Sequence, residues 1–179
     1  KAVEAMMAVQ SYFAELLKKK SEEPGDDLLT ECLAWRIDGE PIPQDDLLAF
    51  CLLMMMAGLD TVSIQLAYSF HHLATHPADR ERIVREPSII PSAVEEFLRA
   101  YAFVAPGRTA TRDTVHNGVE IKAGEMVFLP LCAATRDPDQ FENAKQVDIG
   151  RAVNNHAAFG LGPHRCLGSH LARRELRFA

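Results

Sequence analysis

The stretch 44–76, QDDLLAFCLLMMMAGLDTVSIQLAYSFHHLATH, reaches Pro77 without meeting a proline, and its middle carries no polar stripe at helical spacing. Asp45 and Asp46 stand where a helix N-terminus favours acids. About thirty residues is long for a globular helix. A helix that is apolar all round belongs in an interior, so the spacing predicts one long buried helix with the rest of the fold packed around it. Its longest uncharged piece, LLAFCLLMMMAGL at 47–59, falls short of the roughly 20 residues that cross a bilayer. No membrane span is expected.

The elements around it are shorter. KAVEAMMAVQSYFAELLKKK has apolar residues at helical spacing from its first turn. SEEPGDD reads as a loop, LLTECLAWR as a short helix and DGEPIP as a turn. PADRERIVRE and PSAVEEFLRAYA each open on a proline in the tolerated first-turn position. Residues 103–130 read as strands with a turn at Asn117-Gly118, and 135–158 as irregular chain. Residue 1 is Lys and both ends stand mid-pattern, so residues 1–179 are expected to be part of one longer domain, incomplete at both ends.

At 47% hydrophobic residues the chain can bury a core. A net charge of −6 argues against nucleic acid as a partner. Cys32, Cys51, Cys132 and Cys166 show no CxxC spacing, which speaks against a disulfide framework or zinc finger and for a reduced, cytosolic setting.

Four motifs carry chemistry. FGLGPHRCLGSH, residues 159–170, surrounds Cys166 with glycines that let a loop bend sharply or lie against a flat object. The helix expected behind it has Leu167, Leu171 and Leu176 on its inner face and Arg173, Arg174 and Arg177 outside. A thiol at a helix start is either reactive or a metal ligand. His164 two residues earlier suits a thiol nucleophile, but the glycines suit a large planar cofactor, with thiolate ligation of haem iron fitting both. Second, AGLDT at 57–61 sets small residues, an acid and a hydroxyl inside an apolar helix. Leu53, Met56, Ala57, Asp60 and Thr61 share one face. The plain alternative is a threonine bonding back to a carbonyl at a kink. Asp60 there needs a basic partner, solvent or a function. Third, Glu96 and Arg99 stand at i, i+3, where a surface salt bridge is the bland reading. Fourth is Arg108 after VAPG, which alone means nothing.

In this order, AGxDT, ExxR and FGxGxHxCxG resemble the haem-thiolate monooxygenases, the cytochromes P450. GLDTV, EEFLR, the GR after the ExxR helix, VD at 147–148 and CLGSHLARRE are shared most closely with soluble bacterial members such as the camphor hydroxylase. The resemblance implies a mainly α fold with small β-sheets. It is the C-terminal half of the cytochrome P450 fold, with a long central helix over a haem and a Cys-ligand loop beneath. It implies haem b with Cys166 as thiolate ligand, Phe159 and Gly160 opening the loop, and Gly168 letting the next helix approach. Arg108 and His164 would bind the propionates, and Arg165, Leu167, Ala172, Ala57 and Gly58 would also lie against the cofactor. Asp60 and Thr61 become a proton-delivering pair. Leu53, Met56, Ala57 and Val104 would line a substrate pocket, and Glu96 with Arg99 would form a buried structural pair.

The implied activity is insertion of one oxygen atom from O2 into a small apolar, terpenoid-like substrate. Electrons would come from NAD(P)H through a reductase and an iron–sulfur ferredoxin. Three positions depart from the family pattern. Gln146 stands where an Arg or His usually supports the Glu–Arg pair, so a less rigid pair is expected. Pro106 replaces a carboxylate near a propionate. Arg165, also a candidate for attracting an acidic ferredoxin, replaces an apolar residue. A haem sensor or electron carrier without oxygen activation is the alternative function, and a Cys166–His164 thiol enzyme is a third.

Overall fold

The computed structural model describes residues 1–179, the side chain of Ala2 excepted. The chain divides into two compact units, 1–61 and 62–179. In the first, α1 (Ala2–Glu22) and α2 (Leu28–Leu33) precede a hairpin of β1 (Arg36–Ile37) and β2 (Glu40–Pro41), which leads into α3 (Gln44–Leu59). The Asp27 carboxylate caps α2 by accepting the Thr30 N–H at 3.1 Å. The hairpin turns through Asp38 and Gly39, both at positive φ, as a two-residue turn between twisted strands requires. Leu17, Cys32, Leu47 and Cys51 form the core, packed by Phe13, Ile42 and Phe50 among others. Burial pushes the Cys32 and Cys51 thiols up, so both serve as small apolar side chains.

The second unit holds α4 (Thr61–Thr75, its first residue grouped with the other unit), α5 (Pro77–Arg85) and α6 (Ile90–Ala100). Strands β3 (Gly107–Thr109) and β6 (Met126–Phe128) pair antiparallel around the inner hairpin of β4 (Thr114–His116) and β5 (Val119–Ile121). Asn117 and Gly118, at φ 48° and 80°, make the expected Asn-Gly turn. A short α7 (Leu131–Ala134), not expected from the sequence, leads into an irregular segment that ends at α8 (Ser169–Phe178). Ile89, Ala93, Phe97 and Ile149 make the core. Buried His72 ties α4 to its neighbours through the Tyr101 hydroxyl at 2.7 Å and the Asp79 carboxylate at 2.8 Å.

One expectation is corrected. The long helical stretch is interrupted at Asp60 (φ −108°), giving α3 and α4 instead of one helix. Within residues 1–179 its middle is uncovered, with Leu53, Met56 and Leu59 55–64% exposed. Taken through the break, 44–75 is long and apolar enough by length and composition to cross a membrane, which counting uncharged runs had missed. The charge of Asp60 and the break at that residue divide it.

Candidate functional site

The C-terminal half of α6 is buried on all sides, from Glu96 to Ala100. Ala93, Val94, Phe97 and Leu98 are buried, and so are the side chains of Glu96 and Arg99, both 0% exposed. A charge pair can be buried only if its hydrogen-bonding capacity is spent, and here it is. Arg99 has five N–H donors. Two reach Glu96 at 2.7 and 2.8 Å, and the others reach the carbonyls of Thr135 (2.9 Å), Ala144 (2.8 Å) and Gln146 (2.9 Å). Glu96 also accepts from the Asp148 N–H at 2.8 Å, Arg151 Nε at 2.9 Å and Asn154 Nδ2 at 2.9 Å. Burial alone would raise the Glu96 pKa, but these donors hold it below the ordinary carboxylate value. The sequence reading expected a less rigid pair because Gln146 brings no charge. Arg151 brings that charge from five residues further on, and Gln146 contributes its backbone carbonyl instead.

The neighbouring Glu95 has a cluster of its own. Its carboxylate receives Arg173 Nε at 2.6 Å, Arg173 Nη2 at 2.9 Å and His156 Nε2 at 3.0 Å. The Arg173 guanidinium also lies over the Phe159 ring, 4.6 Å from its centre. The face expected for α8 is changed at Arg173 and Leu171, while Leu176 is half-buried and Arg174 and Arg177 are exposed, as expected. Arg173 points inward to Glu95, while Leu167 and Leu171 are 73% and 61% exposed. A bidentate ion pair with a stacked ring outweighed the leucine spacing.

Desolvation raises the Glu95 pKa, but the hydrogen bonds from His156 and Arg173 outweigh it and bring the group down to about 2, against an ordinary 4.5. A carboxylate depressed on folding stabilises fully above its unfolded pKa, and the contribution fades as pH falls toward the folded value. The free energy of urea unfolding of the full-length protein should therefore drop between pH 5 and pH 3, by on the order of 2 kcal/mol at the acid end. In Glu95→Gln that part of the pH dependence should vanish.

The loop ahead of α8 is closed by the Cys166 N–H donating to the Phe159 carbonyl at 2.8 Å. Gly160 and Gly162, each at φ +71°, carry the chain through a region that other residues resist. Cys166 stands three residues before the helix rather than at its first turn, and its thiol is exposed. A Cβ placed on Gly168 would lie 3.9 Å from the Cys166 sulfur. Exposed Leu161 and Leu167 flank the thiol in sequence. In the same unit Arg108 is exposed on β3, His164 and Arg165 are exposed, Ala172 is half-buried on α8, and Val104 is 41% exposed.

In the first unit, Leu53, Met56, Ala57 and Asp60 share an exposed face with Thr61. The Thr61 hydroxyl donates to the Ala57 carbonyl at 2.9 Å, which is the bonding pattern of the plain alternative. Asp60 is exposed and takes the solvent option rather than a basic partner. Gly58 has open space where a Cβ would stand. The sequence reading missed Glu95, Arg151, Asn154, His156 and Arg173. The doubled glutamate EE at 95–96 was the available signal for the first of these.

A family model for cytochrome P450 matches residues 1–179. The chain belongs to the cytochrome P450 family. It is 42% identical over 178 residues to the vitamin D(3) 25-hydroxylase of Pseudonocardia autotrophica, covering 98% of this chain and 44% of that protein. To the mycinamicin IV hydroxylase/epoxidase of Micromonospora griseorubida it is 36% identical, over 98% of this chain and 45% of that one. The crystal structure of CYP109E1 from Bacillus megaterium in complex with testosterone superposes with a TM-score of 0.92 at 33% identity, covering 98% of this chain and 49% of that chain. This P450 chain thus spans less than half the length of the relatives it matches.

Cytochromes P450 carry a haem bound through a cysteine thiolate. The residues present here fit such a group. Among the described residues no cluster of three or more His, Cys, Asp or Glu could hold a bare ion, so iron at the exposed Cys166 would have to arrive with its other ligands. The positive-φ glycines and the side-chain-free Gly168 leave room for a flat macrocycle beside the sulfur. Arg108 and His164 offer exposed donors suited to carboxylates.

Proposed function

We propose that residues 1–179 are part of a single P450 domain. In this reading the full-length protein is a cytoplasmic monooxygenase that inserts one oxygen atom from O2 into a small apolar, terpenoid-like molecule. Electrons reach it from NAD(P)H through a reductase and an iron–sulfur ferredoxin. The observation that carries the reading is the exposed Cys166 thiol at the end of a loop held shut by its own N–H.

When bound, the haem supplies oxygen activation, to which a thiolate ligand contributes electron density. The chain's own residues have separate tasks. Cys166 holds the iron, Arg108 and His164 bind the propionates, and Phe159, Gly160, Leu167, Gly168 and Ala172 shape the bed. The exposed side chains of Leu53 and Met56, beside Ala57, and that of Val104 select apolar substrates by shape. The Thr61 hydroxyl gives its one proton to the Ala57 carbonyl, which leaves its oxygen to accept from water or an incoming O–H. The adjacent Asp60 carboxylate, open to solvent, relays protons inward.

The ferrous carbonyl complex of the full-length protein should show the red-shifted Soret band of thiolate ligation. Cys166→His should lose that band while retaining haem, and an unchanged spectrum in the variant would sink the assignment. Substrate- and ferredoxin-dependent NAD(P)H oxidation separates the monooxygenase from a haem sensor or electron carrier, which would show none.

A further inference from the structure

We infer that Glu95 is the positioning residue of the Cys166 loop, acting through His156 and Arg173 on the two ends of the segment 156–159. This rests on the reading of Cys166 as the iron ligand. The segment is anchored twice to one carboxylate. At its start, the His156 ring accepts the Ala158 N–H on Nδ1 at 3.2 Å, which leaves the proton on Nε2 to be donated to Glu95 at 3.0 Å. At its end, the Phe159 ring lies beneath the Arg173 guanidinium, which Glu95 holds by two bonds of 2.6 and 2.9 Å. The fork geometry fixes the guanidinium plane, and the plane fixes the ring.

Phe159 matters because its carbonyl is the acceptor that closes the loop on the Cys166 N–H, at 2.8 Å. Moving Phe159 moves the point from which the ligand residue hangs. His156 is 2% exposed at its side chain, Arg173 19% and Glu95 23%, so solvent cannot readily replace the lost bonds. The cluster is separate from the Glu96–Arg99 network, whose partners all lie between 135 and 154. Glu96 secures that earlier segment, and Glu95 secures the ligand loop.

The test is hydrogen exchange by mass spectrometry on the haem-loaded, full-length protein, comparing the segments 156–166 and 141–151. In Glu95→Gln the first should exchange roughly tenfold faster or more, as loss of charge-assisted bonds implies, with the second unchanged. The same variant should convert part of its ferrous carbonyl form from the red-shifted band to the shorter-wavelength band of a lost thiolate. Arg173→Lys keeps the charge but loses fork and stacking, so it should show the same selective change. It carries the test if Glu95→Gln does not fold. Unaltered protection of 156–166, or equal loss in both segments, would overturn the proposal. If instead Cys166→His leaves the spectrum unchanged, the ligand assignment falls, while the exchange data still decide whether Glu95 tethers the loop.

Discussion

Arg99→Ala should destabilise the full-length protein by about 3–5 kcal/mol, the usual effect of removing one partner of a buried ion pair. Ordinary domains have only about 5–15 kcal/mol in total, so little folded, haem-loaded protein should accumulate. The guanidinium is the sole donor linking α6 to three carbonyls spread over 135–146, and it faces a carboxylate with no exposure. Its loss strands the three carbonyls and takes two donors from Glu96, which keeps its bonds from Asp148, Arg151 and Asn154. Arg99→Lys should also fail, because three donors on one nitrogen cannot serve five acceptors arranged around a plane. Arg151→Gln is the informative contrast. Arg151 makes one bond to Glu96, which keeps its bonds from Arg99, Asp148 and Asn154, and the loss should be nearer 1–2 kcal/mol. Chemical denaturation of the three variants gives the order, and a stable Arg99→Lys protein would defeat this account.

Thr61→Ala should uncouple the proposed monooxygenase rather than stop it. NAD(P)H and O2 would still be consumed, product per NAD(P)H would fall about tenfold or more, and hydrogen peroxide would rise in its place. The size reflects the 100-fold or larger contribution that a positioned proton-handling group commonly makes. The hydroxyl spends its proton on the Ala57 carbonyl and keeps its lone pairs, so the methyl variant loses an acceptor as well as a helix contact. Thr61→Ser restores the hydroxyl and should restore most of the coupling. Asp60→Asn should behave differently, slowing total turnover and enlarging the solvent isotope effect, since it removes a titrating group and little else. If both residues only shape the helix break, substrate affinity or haem content would change with product per NAD(P)H intact.

Local signals in the sequence were reliable where one short-range rule governed the backbone. The Asn117-Gly118 turn, the proline-opened α5 and the helix behind Cys166 formed where their residues said. Long-range bonds defeated the spacing argument. Arg173 turned inward because Glu95, 78 positions earlier, sits within reach, and no periodicity within α8 encodes that. Arg151 replaced the charge missing at position 146 for the same reason. The motif order revealed the family and singled out Cys166, Glu96 and Arg99 as candidates. It said nothing of Glu95, whose partners His156 and Arg173 lie in two separate stretches of chain. The interruption at Asp60 was foreshadowed by Gly58 and Thr61 within one turn of it.

Adjacent side chains on an α-helix leave the axis about 100° apart, and Glu95 and Glu96 are both committed. Each holds a different part of the chain, so together they fix the rotation of α6 about its own axis as two stays fix a mast. Substituting an apolar residue of α6 alters only its packing. Inserting or deleting one residue between Ile90 and Glu95 would instead swing both carboxylates by that angle away from the start of the helix. Length variation in this protein should therefore be forbidden within the five positions, Ile90 to Val94, that lead up to the two acids.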